Sequence, residues 1–186
     1  MNWRLHSILA LCSLLCLLGC SSEKLFYKTV PLGEHCTFSI PFLWKKKDVT
    51  ANLPAQVKKQ VSPNVAAFTS SQIIGKEVMV SVNYAKLKKN NANIAGVIAE
   101  SLRQLSLLPN TTDLEYACEP YIISGGKAQL CRIKYKRGKE YMLAKLFCVV
   151  PDDDLTVSYY FAGFYSERYK WGDEVLDKLY RSVELK

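Results

Sequence analysis

The chain has 186 residues, with 25 Lys plus Arg against 17 Asp plus Glu, a formal charge of +8 and only two histidines, His6 and His35. That length accommodates one ordinary domain that buries its own core without a metal or cofactor. The histidine count and the lack of any Cys-x-x-Cys spacing argue against a paired-histidine zinc site and a thioredoxin-like site.

At the N-terminus a single charge, Arg4, precedes the apolar run Ile8 to Leu18, which matches the charged and apolar regions of a secretory signal. The run ends at Gly19-Cys20 and turns polar at Ser21-Ser22-Glu23-Lys24, so it is too short for a transmembrane helix of about 20 residues. Leu17-Leu18-Gly19-Cys20 resembles the lipobox of bacterial lipoproteins. The resemblance implies cleavage before Cys20, with the small Gly19 admitting the peptidase and the Cys20 thiol accepting diacylglycerol. The expected organisation is a signal peptide over 1–19, a lipidated tether over 20–24 and a single globular domain over 25–186. Two or more acyl chains, palmitate among them, anchor stably because each buried methylene contributes about 0.8 kcal/mol. Ser21 after the cysteine favours, by the same resemblance, the periplasmic side of the outer membrane. Removing residues 1–19 takes away Arg4 and His6 and leaves 167 residues with a formal charge of +7.

Along the remaining chain, Glu34 to Ile40 reads as a short strand closed by Pro41, and Lys45 to Ser62 as irregular or partly helical. Val65 to Ile74 and Lys76 to Leu87 read as a hairpin about Gly75, the second run showing the alternation of a strand. From Asn93 to Leu108, apolar residues at Ile94, Val97, Ile98, Leu102, Leu105 and Leu108 give the one-sided spacing of an amphipathic helix ended by Pro109. Four strands then form a meander, Leu114 to Ser124, Lys127 to Lys136, Tyr141 to Val150 and Leu155 to Phe164. A final helix over about Ser166 to Val183 gathers Trp171, Val175, Leu176, Leu179 and Val183 on one side. The last two strands are apolar on both faces, so helices should cover both, giving an α+β sandwich with a mainly antiparallel sheet.

With Cys20 acylated, Cys36, Cys118, Cys131 and Cys148 remain, an even number that in an exported chain reads as two disulfides with three possible pairings. A hairpin folded about Ser124-Gly125 sets Cys118 opposite Cys131, whereas a turn at Gly125-Gly126 makes them diagonal neighbours. The favoured pairs are Cys118 with Cys131 and, by remainder, Cys36 with Cys148.

Phe38-Ser39-Ile40-Pro41-Phe42-Leu43-Trp44 resembles the opening Phe-Ser-x-Pro-x-x-Trp segment of the PsbP/DcrB superfamily, which also includes a yeast Ran-binding import factor. The hairpin, helix, meander and closing helix ending Tyr180-Arg181-Ser182-Val183 follow the same order. The resemblance covers nearly the whole domain and implies an α/β/α sandwich with a scaffold or binding role, DcrB-like members being bacterial envelope lipoproteins. Function does not transfer on fold alone.

Catalytic groupings are sparse. His35 beside Cys36 on a strand would point to the opposite face, which makes the two a poor nucleophile-base pair. Asp152-Asp153-Asp154 reads as a turn after Pro151 rather than a calcium loop. Aromatics crowd Tyr159 to Trp171, mainly as core, with a sheet-helix pocket for a small apolar or aromatic ligand as a second reading. Lysines cluster at Lys45-Lys46-Lys47, Lys86, Lys88 and Lys89, and between Lys134 and Lys139. Of these, Lys45, Lys46, Lys47, Lys86, Lys88 and Lys89 with Trp44 are the candidate binding residues for an envelope protein, anionic lipid or polysaccharide, while the resemblance implies instead that Trp44 is a packing residue. Nucleic acid is not an expected partner. The leading expectation is therefore a lipid-anchored, non-enzymatic binding or scaffold module without cofactor or metal. A small-ligand carrier comes second and a hydrolase last.

Overall fold

Strand alternation in the meander sorts side chains onto two faces, and both faces are apolar. Ala144, Leu146 and Cys148 enter one core, while Phe147 and Val149, alternating with them, enter another. In the computed structural model, residues 27–47, 55, 65–69, 80–88 and 93–186 are described, with 65–69 and 80–88 described by backbone pairing alone. The elements are β1 (Tyr27–Pro31), β2 (Cys36–Pro41), β3 (Lys45–Lys47), β4 (Val65–Thr69), β5 (Val80–Lys88), α1 (Ile94–Ser106), β6 (Thr111–Ile123), β7 (Gly126–Arg137), β8 (Glu140–Pro151), β9 (Val157–Ser166), α2 (Trp171–Arg181) and β10 (Glu184–Leu185).

Seven strands form one antiparallel sheet in the order β3-β4-β5-β9-β8-β7-β6, and β1-β2-β10 form a second, smaller one. The large sheet has α1 on one face, where Val97, Ile98 and Leu105 meet Cys131, Ile133, Tyr135, Ala144, Leu146, Cys148 and Ala162. The small sheet and α2 cover the other, where Phe38, Ile40, Trp44, Leu176, Leu179 and Tyr180 meet Phe147, Val149, Tyr159 and Phe161. The result is the expected α+β fold with helices on both faces of an antiparallel sheet.

The expected helix and meander are present, and β4 pairs with β5 in a register symmetric about Gly75, Val65 opposite Ala85 and Thr69 opposite Ser81. Residues 70–79 of that hairpin lie outside the described residues. The β6–β7 register decides between the two turns, since Ile123 faces Gly126 and Cys118 faces Cys131 about Ser124-Gly125. Gly125 there has φ 76°, a left-handed conformation that glycine adopts without steric cost.

Three strands were not expected. Lys45–Lys47, part of a stretch read as irregular or partly helical, pairs with Thr69, Phe68 and Ala67 as an edge strand. Consecutive lysines are poor evidence of a strand in a sequence, yet on an edge they fit, because charge there discourages pairing with another chain. β1 and β10 flank β2, and the two-residue β10 owes its conformation to pairing with Cys36 and Thr37.

One disulfide, Cys118–Cys131, closes the β6–β7 hairpin as expected. The Cys36–Cys148 pair is corrected: both are free thiols, fully buried. Cys36 sits in the core under the small sheet and Cys148 in the core under α1, on opposite sides of the large sheet. Burial pushes each thiol up to about 12. Uncharged and unexposed, they behave as small apolar fillers.

Candidate interaction surface

Pairing of β1 with β2 sets Tyr27 opposite Pro41, so the chain enters the domain beside the turn that follows β2. In that turn the Trp44 amide donates to the Pro41 carbonyl at 3.0 Å. Phe42 and Leu43 at its tip are 62% and 61% exposed, whereas Trp44 is 5% exposed and belongs to the core. Trp44 is thus a packing residue, and its candidacy as a binding residue is corrected. Its carbonyl accepts a 2.9 Å hydrogen bond from Lys28 Nζ, which also lies 5.8 Å from the centre of the Phe42 ring.

Lys45, Lys46 and Lys47 follow immediately, all exposed. Their partners on β4 are Thr69, Phe68 and Ala67, so no carboxylate stands opposite them in the ladder. Lys86 and Lys88 belong to β5, opposite Tyr159 and Val157 of β9 and beyond the stretch that β4 covers. The backbone register sets them two strand spacings and three or more residues along the strand from Lys45–Lys47. Their side chains, and Lys89 and Cys20 altogether, lie outside the described residues. Phe42 and Leu43 went unrecognised because a sequence motif that places Trp44 in the core carries no sign of which neighbours stay out.

A second polar cluster was also missed. Lys145, near the middle of β8, is 3% exposed. Its ammonium reaches Asp177 Oδ1 at 2.6 Å and Asp173 Oδ1 at 2.8 Å, both on α2. Tyr165 Oη donates to Asp173 Oδ1 at 2.5 Å, and Tyr180 Oη donates to the Lys145 carbonyl at 2.8 Å. Burial pushes the Asp173 carboxyl up, but hydrogen bonds from Lys145 and Tyr165 outweigh it and hold Asp173 below the usual carboxylate range. Tyr165 is shifted up by burial and by the same carboxylate. The spacing Asp173-x-x-x-Asp177 on one helix face could have signalled this, but a lone lysine in an apolar strand names no partner. The cluster fastens α2 to the sheet.

The aromatic stretch divides between the faces. Tyr159, Phe161 and Tyr165 are buried under α2 and the small sheet, so the expected pocket at the C-terminal helix is filled. Beside α1 a groove of about 340 Å³ opens instead, lined by Ser101, Leu105, Leu108, Tyr160, Ala162 and Phe164 among others. His35, in the bend before β2, is half exposed beside Glu34 at 3.9 Å, while Cys36, the first residue of β2, points into the core, so the two do not form a nucleophile-base pair. Asp154 Oδ1 accepts from the Thr156 amide at 3.0 Å, a local turn of the kind read for Asp152-Asp153-Asp154. Among the described residues no group of three His, Cys, Asp or Glu could hold a metal, and no helix is long and apolar enough to cross a membrane.

No family model matches this sequence, and no curated protein matches it either. Solved structures do. LpqN of Mycobacterium tuberculosis, involved in cell envelope biogenesis, aligns with a TM-score of 0.58 at 10% identity over 86% of this chain and 90% of its own. Cyanobacterial PsbP from Synechocystis aligns with a TM-score of 0.58 at 12% identity, over 86% and 92%. The Ran-binding protein Mog1p of Saccharomyces cerevisiae gives 0.55 at 12% identity, over 86% and 95%. At such identities the likeness is one of fold alone: the chain has a PsbP-like fold.

Proposed function

We propose that the protein is an envelope lipoprotein, tethered through lipid on Cys20, which acts without catalysis as a binding or scaffold module for an acidic partner. The observation that carries this reading is the exposed Lys45–Lys47 edge strand, three adjacent charges with no carboxylate opposite them, beside the point where the chain enters the domain. The lipobox at Leu17-Leu18-Gly19-Cys20 supports the tether. The fold is shared with LpqN, a protein involved in cell envelope biogenesis, and with Mog1p, a Ran-binding protein, which supports binding rather than chemistry as the task. Ser21 favours the outer membrane.

The tether is tested by palmitate labelling in a bacterial host, with incorporation expected in the native chain and lost in Cys20→Ala. The binding role is tested by cross-linking in intact cells followed by extraction at low and high salt. A partner captured by the native chain and lost in Lys45→Glu/Lys46→Glu/Lys47→Glu supports it, since such contacts weaken with ionic strength. Identical capture by both sinks it.

The α1 groove favours a second reading, a carrier for a small apolar or aromatic ligand. Native mass spectrometry of protein purified from its source would show a non-covalent adduct that Ala162→Phe, which fills the groove, abolishes.

A further inference from the structure

From the Pro41–Trp44 turn we infer that the acidic partner of this end of the molecule is the lipid surface in which the protein is tethered: Phe42 and Leu43 enter the headgroup region, and Lys45, Lys46 and Lys47 of the strand that follows add positive charge beside them. The inference rests on the lipoprotein reading above and names the partner of the same lysines.

Three observations converge on it. Cys20 and Tyr27 are seven residues apart, so the first residue of β1 lies no more than about 25 Å from a lipid on Cys20. Tyr27 is the residue paired with Pro41, so the tether joins the domain at the end that carries this turn. The opposite end of β2 is remote from it. Cys36 pairs there with Leu185, and Leu185 abuts Gly125 and Gly126 of the β6–β7 hairpin.

The turn also has the composition an interface requires. Two adjacent large apolar side chains are more than half exposed at its tip, where the next residue, Trp44, is buried. Phe42 is already in contact range of a cation, Lys28 Nζ lying 5.8 Å from its ring centre. Lysine stems lie along apolar surface while their ammonium groups reach phosphate, the arrangement by which basic residues flank membrane-embedded apolar ones. The ladder partners of the three β3 lysines, Thr69, Phe68 and Ala67, carry no charge, and the lysines are exposed to anionic headgroups. A dry protein groove would serve a partner helix better; a convex apolar tip with a basic rim fits a soft, anionic, planar surface.

The test uses the full-length lipidated protein reconstituted in vesicles of phosphatidylcholine, with and without phosphatidylglycerol. Phe42→Cys and, as control, Ile122→Cys at a 97% exposed position near the remote hairpin, are labelled with an environment-sensitive fluorophore without reductant. Cys36 and Cys148 are fully buried and Cys118 and Cys131 are bridged, so labelling is site-specific. The proposal expects a several-fold rise and blue shift in emission at position 42, quenching there by nitroxide on the lipid, and neither effect at position 122. Phosphatidylglycerol should strengthen the effect at 42, and Lys45→Glu/Lys46→Glu/Lys47→Glu should cancel that strengthening. A label at 42 that stays accessible to aqueous iodide while the protein floats with the vesicles overturns the proposal and leaves the tether standing. Protein that fails to float overturns the lipoprotein reading and this inference with it.

Discussion

On β9, Phe161 and Phe164 stand three residues apart and face opposite ways, and their surroundings differ. Phe161 is fully buried, edge-on to Phe38 at 5.1 Å and tilted against Phe147 at 6.1 Å, with Tyr180 stacked on Phe147 at 5.2 Å. Phe164 is half-buried and lines the groove beside α1. One face of the sheet is thus sealed by interlocking aromatics from four elements, while the other is roofed, among the described residues, by α1. Gly163 shows how closely the sealed face fits, because a Cβ at that position would stand 2.4 Å from Leu176 Cδ1 of α2. The same strand builds a rigid scaffold with one set of side chains and an open wall with the other.

The largest effects should separate these faces. Phe161→Ala is expected to cost about 3–5 kcal/mol, because the cavity it leaves is walled by packed rings that cannot collapse. Phe164→Ala, which removes a half-buried ring from a site already open, should cost about 1 kcal/mol. Urea denaturation of the two variants checks the contrast; equal losses would mean that the α1 face is as tightly closed as the other.

The thiols give the next contrast, Cys36 lying on the sealed face and Cys148 under α1. Alkylation in denaturant without reductant should modify both, and in the native state neither, read as intact mass. Their folded pKa values, pushed up to about 12 by burial, exceed the unfolded value of about 8.5. Folding therefore favours the protonated thiols, and that stability is complete below about pH 8.5 and declines as pH rises toward 12. Cys148→Ala should flatten the decline measured by urea midpoint between pH 8 and 10, a range of roughly the unfolded thiol pKa and above.

How much of this was readable follows from what each signal depends on. The α1 stripe and the meander were legible because period and turn chemistry are local: Ile94 to Leu108 repeats at helical spacing, and Ser124-Gly125-Gly126 marks the turn between β6 and β7 while leaving its register to the pairing that brings Cys118 to Cys131. The Cys36–Cys148 pairing failed because counting cysteines carries no information about which side of a sheet each occupies. β3 and β10 were invisible because their conformation is imposed by partners distant in sequence, Thr69 to Ala67 for one and Cys36 to Thr37 for the other. The Phe42–Leu43 tip was hidden for a related reason: exposure of an apolar residue is decided by what the rest of the chain leaves uncovered.

The buried ammonium of Lys145 offers a smaller lever on the sealed face. Asp177→Ala removes one of its two carboxylate partners; with half-exposed Asp173 still in place, the cost should be about 1–2 kcal/mol, below the full penalty for orphaning a buried charge. Asp173 titrates below its unfolded value of about 3.9, so its contribution is present above that pH and is lost as pH falls through the lowered folded value. Lys145→Met removes the partner that lowers it and should remove that part of the acid dependence, seen as a flatter plot of urea midpoint against pH on the acid side.

The smallest effect concerns how the two helices are held. α2 starts without a side-chain cap, but Asp173 in its first turn is fastened to Lys145 on the sheet face beneath it, so its N-terminus is secured by tertiary contacts. α1 has no acidic residue in its first turn and relies on Asn93, whose Oδ1 accepts a long, exposed hydrogen bond from the Gly96 amide at 3.4 Å. Asn93→Ala should therefore cost only about 0.5 kcal/mol, the low end for an N-cap. Its signature is spatial rather than energetic: amide exchange should quicken through the first turns of α1 and leave α2, β8 and β9 unchanged, because α1 can lift from its face while the aromatic face stays shut. Faster exchange in β8 and β9 as well would mean that α1 opens only when the whole sheet does, and the groove would then belong to a rigid wall instead of a movable one.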